Sequence, residues 1–320
     1  MITRALLGLS SPAGRRGRLS VLIFHRVLPQ ADPLQPDEPD AVTFESRMRW
    51  IQASFNVMPL AEAAAGLRTG DLPARSLCIT FDDGYADNCT VALPILRRLK
   101  LQATFFVAAG FLNGGRMWND SVIEAIRRAG AGSLDLSDLG LGIFDLAHTA
   151  SRVAAIEQIL GHLKYREPTE RTALADAIAR RIGAPLPDDL MLNTAQLREL
   201  RAAGMTIGAH TVDHPILARL SDDAARREIA NGKRTLEALV GSPVTLFAYP
   251  NGEPGRDFTR QHVEMVRELG FRAAVTTASG AAMPGCDVHQ IPRFTPWDRT
   301  ELLFNIRLAR NARLTDYAVV

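Results

Sequence analysis

Two short polar clusters carry the residue types that chemistry needs. The first is Asp82-Asp83, which ends the apolar run Leu77-Cys78-Ile79-Thr80-Phe81 and precedes Gly84. Burying bare carboxylates is costly unless they are paired or metal-bound, so a strand ending in two of them calls for a partner. The second is Gly208-Ala209-His210-Thr211-Val212-Asp213-His214. Imidazole and carboxylate are ordinary ligands of a divalent ion such as zinc, and histidines four residues apart can reach one ion. Each cluster also has a plainer reading. Asp-Asp-Gly is a turn whose side chains cap the next helix, and His214, before Pro215, can simply open the next segment. The HExxH pattern of zincin helices is absent. Two more polar groups end apolar runs: His25, and the turn Tyr249-Pro250-Asn251-Gly252. In parallel α/β architectures the active site lies at the C-terminal ends of the strands, where all four groups would fall.

The elements that must position them follow from periodicity. Runs at 19–27, 77–81, 103–107, 206–209, 245–249 and 273–276 read as strands. Helices are expected at 43–55, 59–67, 88–99 (bent at Pro94), 194–203, 222–240, 258–269 and 299–310. This alternation predicts parallel β/α units, in an open doubly wound sheet or a barrel. Four prolines make residues 29–40 a loop. Residues 112–195 break the pattern, with helices expected at 120–128, 149–163 and 167–182. We read them as a helical insertion at about 113–193 in a single domain spanning 1–320, placed to line or cover a groove.

Composition narrows the class. Hydrophobic content of 47% and charged content of 22% fit a soluble globular chain. A net charge of +2 offers no basis for nucleic-acid binding. The three cysteines, Cys78, Cys89 and Cys286, form no CxxC pair and cannot all be bridged within one chain, which favours a reducing compartment. Arg15, Arg16 and Arg18 follow the apolar start instead of preceding it, the wrong order for a signal peptide, and no stretch approaches the length of a membrane span. Residues 1–20 read as a short amphipathic helix or an arm. The expected location is cytoplasmic, and peripheral membrane association stays compatible because it needs no span.

At the two clusters the chain resembles the polysaccharide deacetylases, also called NodB-homology or carbohydrate esterase family 4 enzymes. Their TFDDG motif stands here as Thr80-Phe81-Asp82-Asp83-Gly84, and their H-[ST]-x-x-H motif as His210-Thr211-Val212-Asp213-His214. Thr104-Phe105-Phe106 is similar too, and the resemblance covers roughly residues 19–110 and 190–295. It implies an α/β fold, a distorted incomplete (β/α) barrel of the NodB-homology type carrying the helical insertion. It also implies metal-dependent hydrolytic removal of N-acetyl groups from amino sugars of a glycan, with zinc as the ion. Carried over by residue, Asp82 is the general base, and Asp83, His210 and His214 are the ligands.

The third family motif, usually R-x-P-Y, takes the F-x-Y-P-x-G form of the branch acting on bacterial exopolysaccharides. Phe247 stands where the arginine is usual, and orienting Asp82 by a salt bridge is expected to pass to Arg293. The turn at 249–252, with Tyr249 and Asn251, can aim an N–H at a developing oxyanion. The family's Leu-x-His acid has no clear match; His289 is the nearest downstream histidine, and His25 is expected to line the site. Trp50, Trp118 and Trp297 can stack on sugar rings or serve as packing anchors; Trp118, opening the insertion, is the one assigned to substrate. Other outcomes on the same site are an O-acetyl esterase, a small-molecule amidohydrolase acting on a cyclic amide or imide, and a weakly active glycan-binding protein. A long cleft favours a polymer and a closed pocket a small molecule.

Overall fold

Six parallel strands stand in the order β1-β3-β4-β7-β8-β9, with a short β2 paired to the start of β3. They are β1 Leu19–Phe24, β2 Asn56–Val57, β3 Ser76–Phe81, β4 Thr104–Val107, β7 Thr206–Ala209, β8 Leu246–Ala248 and β9 Ala273–Val275. The computed structural model describes residues 7–183, 185–295 and 298–320. Trp297, and the first six residues of the expected N-terminal helix or arm, lie outside the described residues. From Leu7 on, that segment packs down: Leu7 is buried and Arg75 N–H donates to Ser11 O at 2.8 Å.

Residues 291–294 tie the two edges of the sheet together. Ile23 N–H donates to Phe294 O (3.1 Å) and Phe294 N–H to Val21 O (2.8 Å), which joins β1. Ile291 N–H donates to Ala274 O and Thr276 N–H to Ile291 O, both at 2.9 Å, which joins β9. The sheet therefore curls into a distorted, incomplete (β/α) barrel, closed on one side only by this irregular stave.

Side-chain alternation gives each strand an inner and an outer face. Leu77, Ile79 and Phe81 of β3 face outward into the large cluster shared with the surrounding helices. Cys78 joins the inner cluster with Val21, Phe106, Leu246 and Val275, and the same parity carries Thr80 and Asp82 inward. A Cβ at Gly208 would lie 2.4 Å from the Phe106 ring, so the absent side chain lets that ring fill the barrel. Helix Asp222–Val240 starts at Ser221, whose side chain accepts from Ala224 N–H, and stops at Gly241 in a left-handed conformation. Within it, a Cβ at Gly232 would sit 2.5 Å from Thr211 O, so glycine admits the site loop against the helix.

Two segments differ from expectation. Residues 88–99 form a π-helical turn, Asn88–Ala92, followed by helix Leu93–Arg98. Pro94 sits where the π-turn passes into the α-helix. Between helices Trp118–Arg128 and Thr149–Leu163 lies an antiparallel hairpin, β5 Ser133–Leu136 and β6 Gly142–Asp145. With helix Pro168–Ile182 these elements share an apolar cluster of their own, including Val122, Ile126, Phe144, Ile159 and Ile178. All three cysteines are free thiols, and among the described residues no helix is long and apolar enough to cross a membrane.

Candidate active site

β3 delivers its two carboxylates in opposite directions. Asp82 is buried and faces Arg293 in a bidentate pair, with Nη1–Oδ1 at 2.6 Å and Nη2–Oδ2 at 2.7 Å. Arg293 also donates from Nε to Thr276 O at 2.9 Å, and its guanidinium carbon lies 5.9 Å from the Phe106 ring centre. The irregular stave that joins β1 to β9 thus also fixes the orientation of Asp82. Burial pushes the Asp82 carboxyl up, but Arg293 and His210 outweigh it and hold it below the ordinary carboxylate range.

Asp83 turns the other way from a left-handed backbone, φ 73°. Its Oδ1 lies 3.5 Å from His210 Nε2 and 3.4 Å from His214 Nε2, yet is buried with no hydrogen-bond partner among the described residues. His210 Nδ1–H donates to Ala248 O at 2.7 Å, which leaves the Nε2 lone pair facing Asp83. The ligand atoms of Asp83, His210 and His214 all lie within 4.8 Å of one another. One carboxylate, two imidazoles and an orphaned buried oxygen at their centre fit a divalent ion, zinc by donor type, with a position left for water.

The loop from His210 to His214 is held rigidly. Thr211 Oγ1 donates to His210 O (2.5 Å) and accepts from His214 N–H (3.1 Å). Glu228 Oε2 accepts from both Val212 N–H (3.0 Å) and Asp213 N–H (2.9 Å). Of the seven described non-glycine residues with positive φ, four belong to this site: Asp83, Thr211, His214 and Asn251. Backbone strain gathers where function over-determines it. Burial pushes His214 down to about 3, so near pH 7 it is neutral, the form with a lone pair to give. Burial lowers His210 too, but Asp82 and Asp83 outweigh it and raise that group. A proton on His210 competes with any metal, so metal affinity falls with pH.

A cavity of about 260 Å³ opens over these groups, lined by Asp83, His214, Asn251 and Trp118, and by Lys164 and Arg171 from the segment read as an insertion. His25, expected to line the site, follows the end of β1 and is exposed, and it is not among the residues lining this cavity. A larger hollow of about 640 Å³ beside residues 36–47 contains none of these residues.

Two expectations require correction. Tyr249 does not reach the cavity: its ring stacks on Phe258 with centroids 3.9 Å apart, and its hydroxyl donates to His289 O at 3.1 Å. Its N–H is spent on Val275 O at 3.2 Å. The cause is parity, since Tyr249 shares the outward face with Phe247, and only Asn251 of that turn lines the cavity. His289 cannot supply a proton here. Its Nε2 lies 3.0 Å from Phe271 O, before β9, at the opposite end of the sheet. Trp50 packs against Phe304, ring centroids 5.5 Å apart and planes tilted by 58°, and does not line the cavity.

Sequence reasoning passed over Asp120, on helix Trp118–Arg128. Tyr85 donates to its Oδ1 at 3.2 Å, and its Oδ2 has no partner. Burial, with Asp83 adding to it, pushes Asp120 up to about 7 against the pull of Arg26. A carboxyl so raised holds its proton in the folded state between about pH 4 and 7, so stability falls as pH rises through that window. In chelator-treated protein, Asp120→Asn should therefore gain on the order of 2–4 kcal/mol at pH 8 and nothing at pH 4, as read from denaturant midpoints. A gain independent of pH would contradict this.

The sequence model of the family "Polysaccharide deacetylase" matches residues 69–133 and 172–274. "Putative polysaccharide deacetylase YxkH" of Bacillus subtilis (strain 168) is 21% identical over 267 residues, 83% of this chain; the chain spans 66% of that relative, just under two thirds of its length. Among solved structures, Streptococcus pyogenes deacetylase PplD in complex with acetate aligns with a TM-score of 0.59 at 18% identity, covering 89% of this chain and 96% of that one. IcaB from Ammonifex degensii aligns with a TM-score of 0.58 at 21% identity, covering 95% and 98%. At these identities the structural matches speak for the fold.

Proposed function

The chain belongs to the polysaccharide deacetylase family, and from that premise we propose that it hydrolyses N-acetyl groups from amino sugars of a glycan, releasing acetate. What supports the reading is the orphaned Asp83 Oδ1 between two imidazoles, set beside a second carboxylate clamped by Arg293. Asp83, His210 and His214 would hold the divalent ion. When bound, that ion supplies Lewis acidity to the amide carbonyl and lowers the pKa of water.

The chain's own groups do the rest. Asp82, kept ionised and oriented by Arg293, accepts the proton of the attacking water. Asn251, which lines the cavity in a turn whose carbonyl accepts from Thr277 Oγ1 at 2.8 Å, would offer its N–H to the oxygen on which charge develops. The C–N bond then breaks, and the departing nitrogen must take a proton. We assign that step to His25, the exposed imidazole that follows β1.

Three measurements bear on this reading. Acetate release across N-acetylated chitooligosaccharides, peptidoglycan fragments and poly-N-acetylglucosamine, with and without chelator, tests the activity; no release from any of them would sink it. His214→Ala should lose bound metal in elemental analysis of the purified protein, and full metal content would contradict its place as a ligand. His25→Asn should slow cleavage of amides roughly a hundredfold but O-acetyl esters far less, because an alkoxide needs less help to leave. Equal losses on both would remove His25 from that role.

A further inference from the structure

Arg171 lies in the wall of the cavity above Asp83 and His214, only 5% exposed, and its Nε has no hydrogen-bond partner. It packs over Trp118, guanidinium carbon to ring centre 4.9 Å, and reaches Lys164 O only at 3.4 Å. Among the described residues no carboxylate pairs with it. Glu167 acts on it from the same helix, but the Glu167 Oε2 is engaged as the N-cap of Thr169 and Glu170. Lys164 adds a second cation to the same wall. Among the described residues the one carboxylate lining this cavity is Asp83, which the ligand set claims.

A buried cation without a counter-ion is expensive and is retained where an anion completes it. Guanidinium on one side, with ammonium beside it, matches carboxylate or phosphate oxygens. We propose that Arg171 and Lys164 form an anion subsite, so that the enzyme selects glycans whose acetamido sugar carries an acidic substituent, a carboxylate or a phosphate ester. This inference rests on the deacetylase reading of the site and names the substrate class for it. Trp118 then does two jobs: it carries Arg171 on its face and walls the sugar position.

Calorimetric titration of the metal-loaded full chain at physiological salt tests it, with N-acetylglucosamine, N-acetylglucosamine 1-phosphate and N-acetylmuramic acid as probes. At least one acidic sugar should bind about tenfold or more tightly than the neutral one, the scale of one charge-assisted hydrogen bond. Preference for the phosphate assigns the anion to an ester, and preference for the muramic acid to a carboxylate. Arg171→Gln and Lys164→Gln should each reduce the acidic-to-neutral ratio, and Arg171→Lys should restore part of it. Lys164, less buried, keeps the test open if Arg171→Gln fails to fold. Equal affinity for all three sugars, or a ratio undiminished in both glutamine variants, would overturn the subsite. Binding is read apart from turnover. Acidic preference without acetate release would sink the deacetylase reading alone, and acetate release with no acidic preference would sink only the subsite.

Discussion

Asp82→Asn is expected to cut acetate release by roughly a thousandfold or more while leaving the metal bound. The argument turns on which way each carboxylate faces. Asp83 meets the two imidazoles, whereas Asp82 gives both oxygens to Arg293 and stands 3.9 Å from His210 Nε2. Asparagine keeps the shape and one acceptor for Arg293 but cannot take a proton. It also leaves the buried guanidinium uncompensated, so some stability is lost. Losing a partner outright from a buried pair costs about 3–5 kcal/mol, and the amide should cost less. Turnover must therefore be measured below the variant's melting temperature, with circular dichroism to certify the fold. Retained turnover would remove Asp82 as the base, and loss of metal would mean that the two aspartates have been assigned the wrong way round.

Arg293→Met should do comparable damage by another route. Methionine fills the barrel interior but leaves Asp82 buried without its cation, at a cost of about 3–5 kcal/mol near neutral pH. In the wild type, Arg293 and His210 keep the Asp82 carboxyl below its ordinary range against burial. Its stabilising share is present above the unfolded pKa of about 3.9 and is lost as pH falls through the folded value. Without Arg293, burial dominates and raises that pKa. The acid limb of the pH–rate profile then moves to higher pH, and activity lost at neutral pH partly returns in base. The stability difference between the two proteins shrinks in acid, as Asp82 is protonated in the variant. An unmoved acid limb would separate Arg293 from the base and leave it a structural residue.

The site was legible where chemistry sits within one short run. Asp82 and Asp83 announce themselves by ending an apolar strand, and His210 and His214 by their spacing. Parity was readable and missed for Tyr249, which must share the outward face of Phe247. The family resemblance pointed to the pairing of Arg293 with Asp82 across 211 positions, but hydrophobic periodicity does not reveal the few bridges by which residues 291–294 join β1 to β9 and make it possible. Arg171 left a fainter trace. It lies four residues before Ala175 and seven before Ile178, on the buried stripe of its helix, where an arginine needs a reason. That reason is a cavity shared with Trp118, Asp83 and Asn251, residues brought together only by the fold. The hairpin β5–β6 escaped because its strands are short and mostly exposed.

The decisive measurement is a metal titration of stripped protein, with acetate release from an N-acetylated oligosaccharide followed at each addition. Release should rise from near zero and level off at one equivalent of divalent ion per chain, with His214→Ala flat throughout. Release that is undiminished in the stripped protein, or that rises equally in His214→Ala, would contradict a metal-dependent deacetylase built on Asp83, His210 and His214.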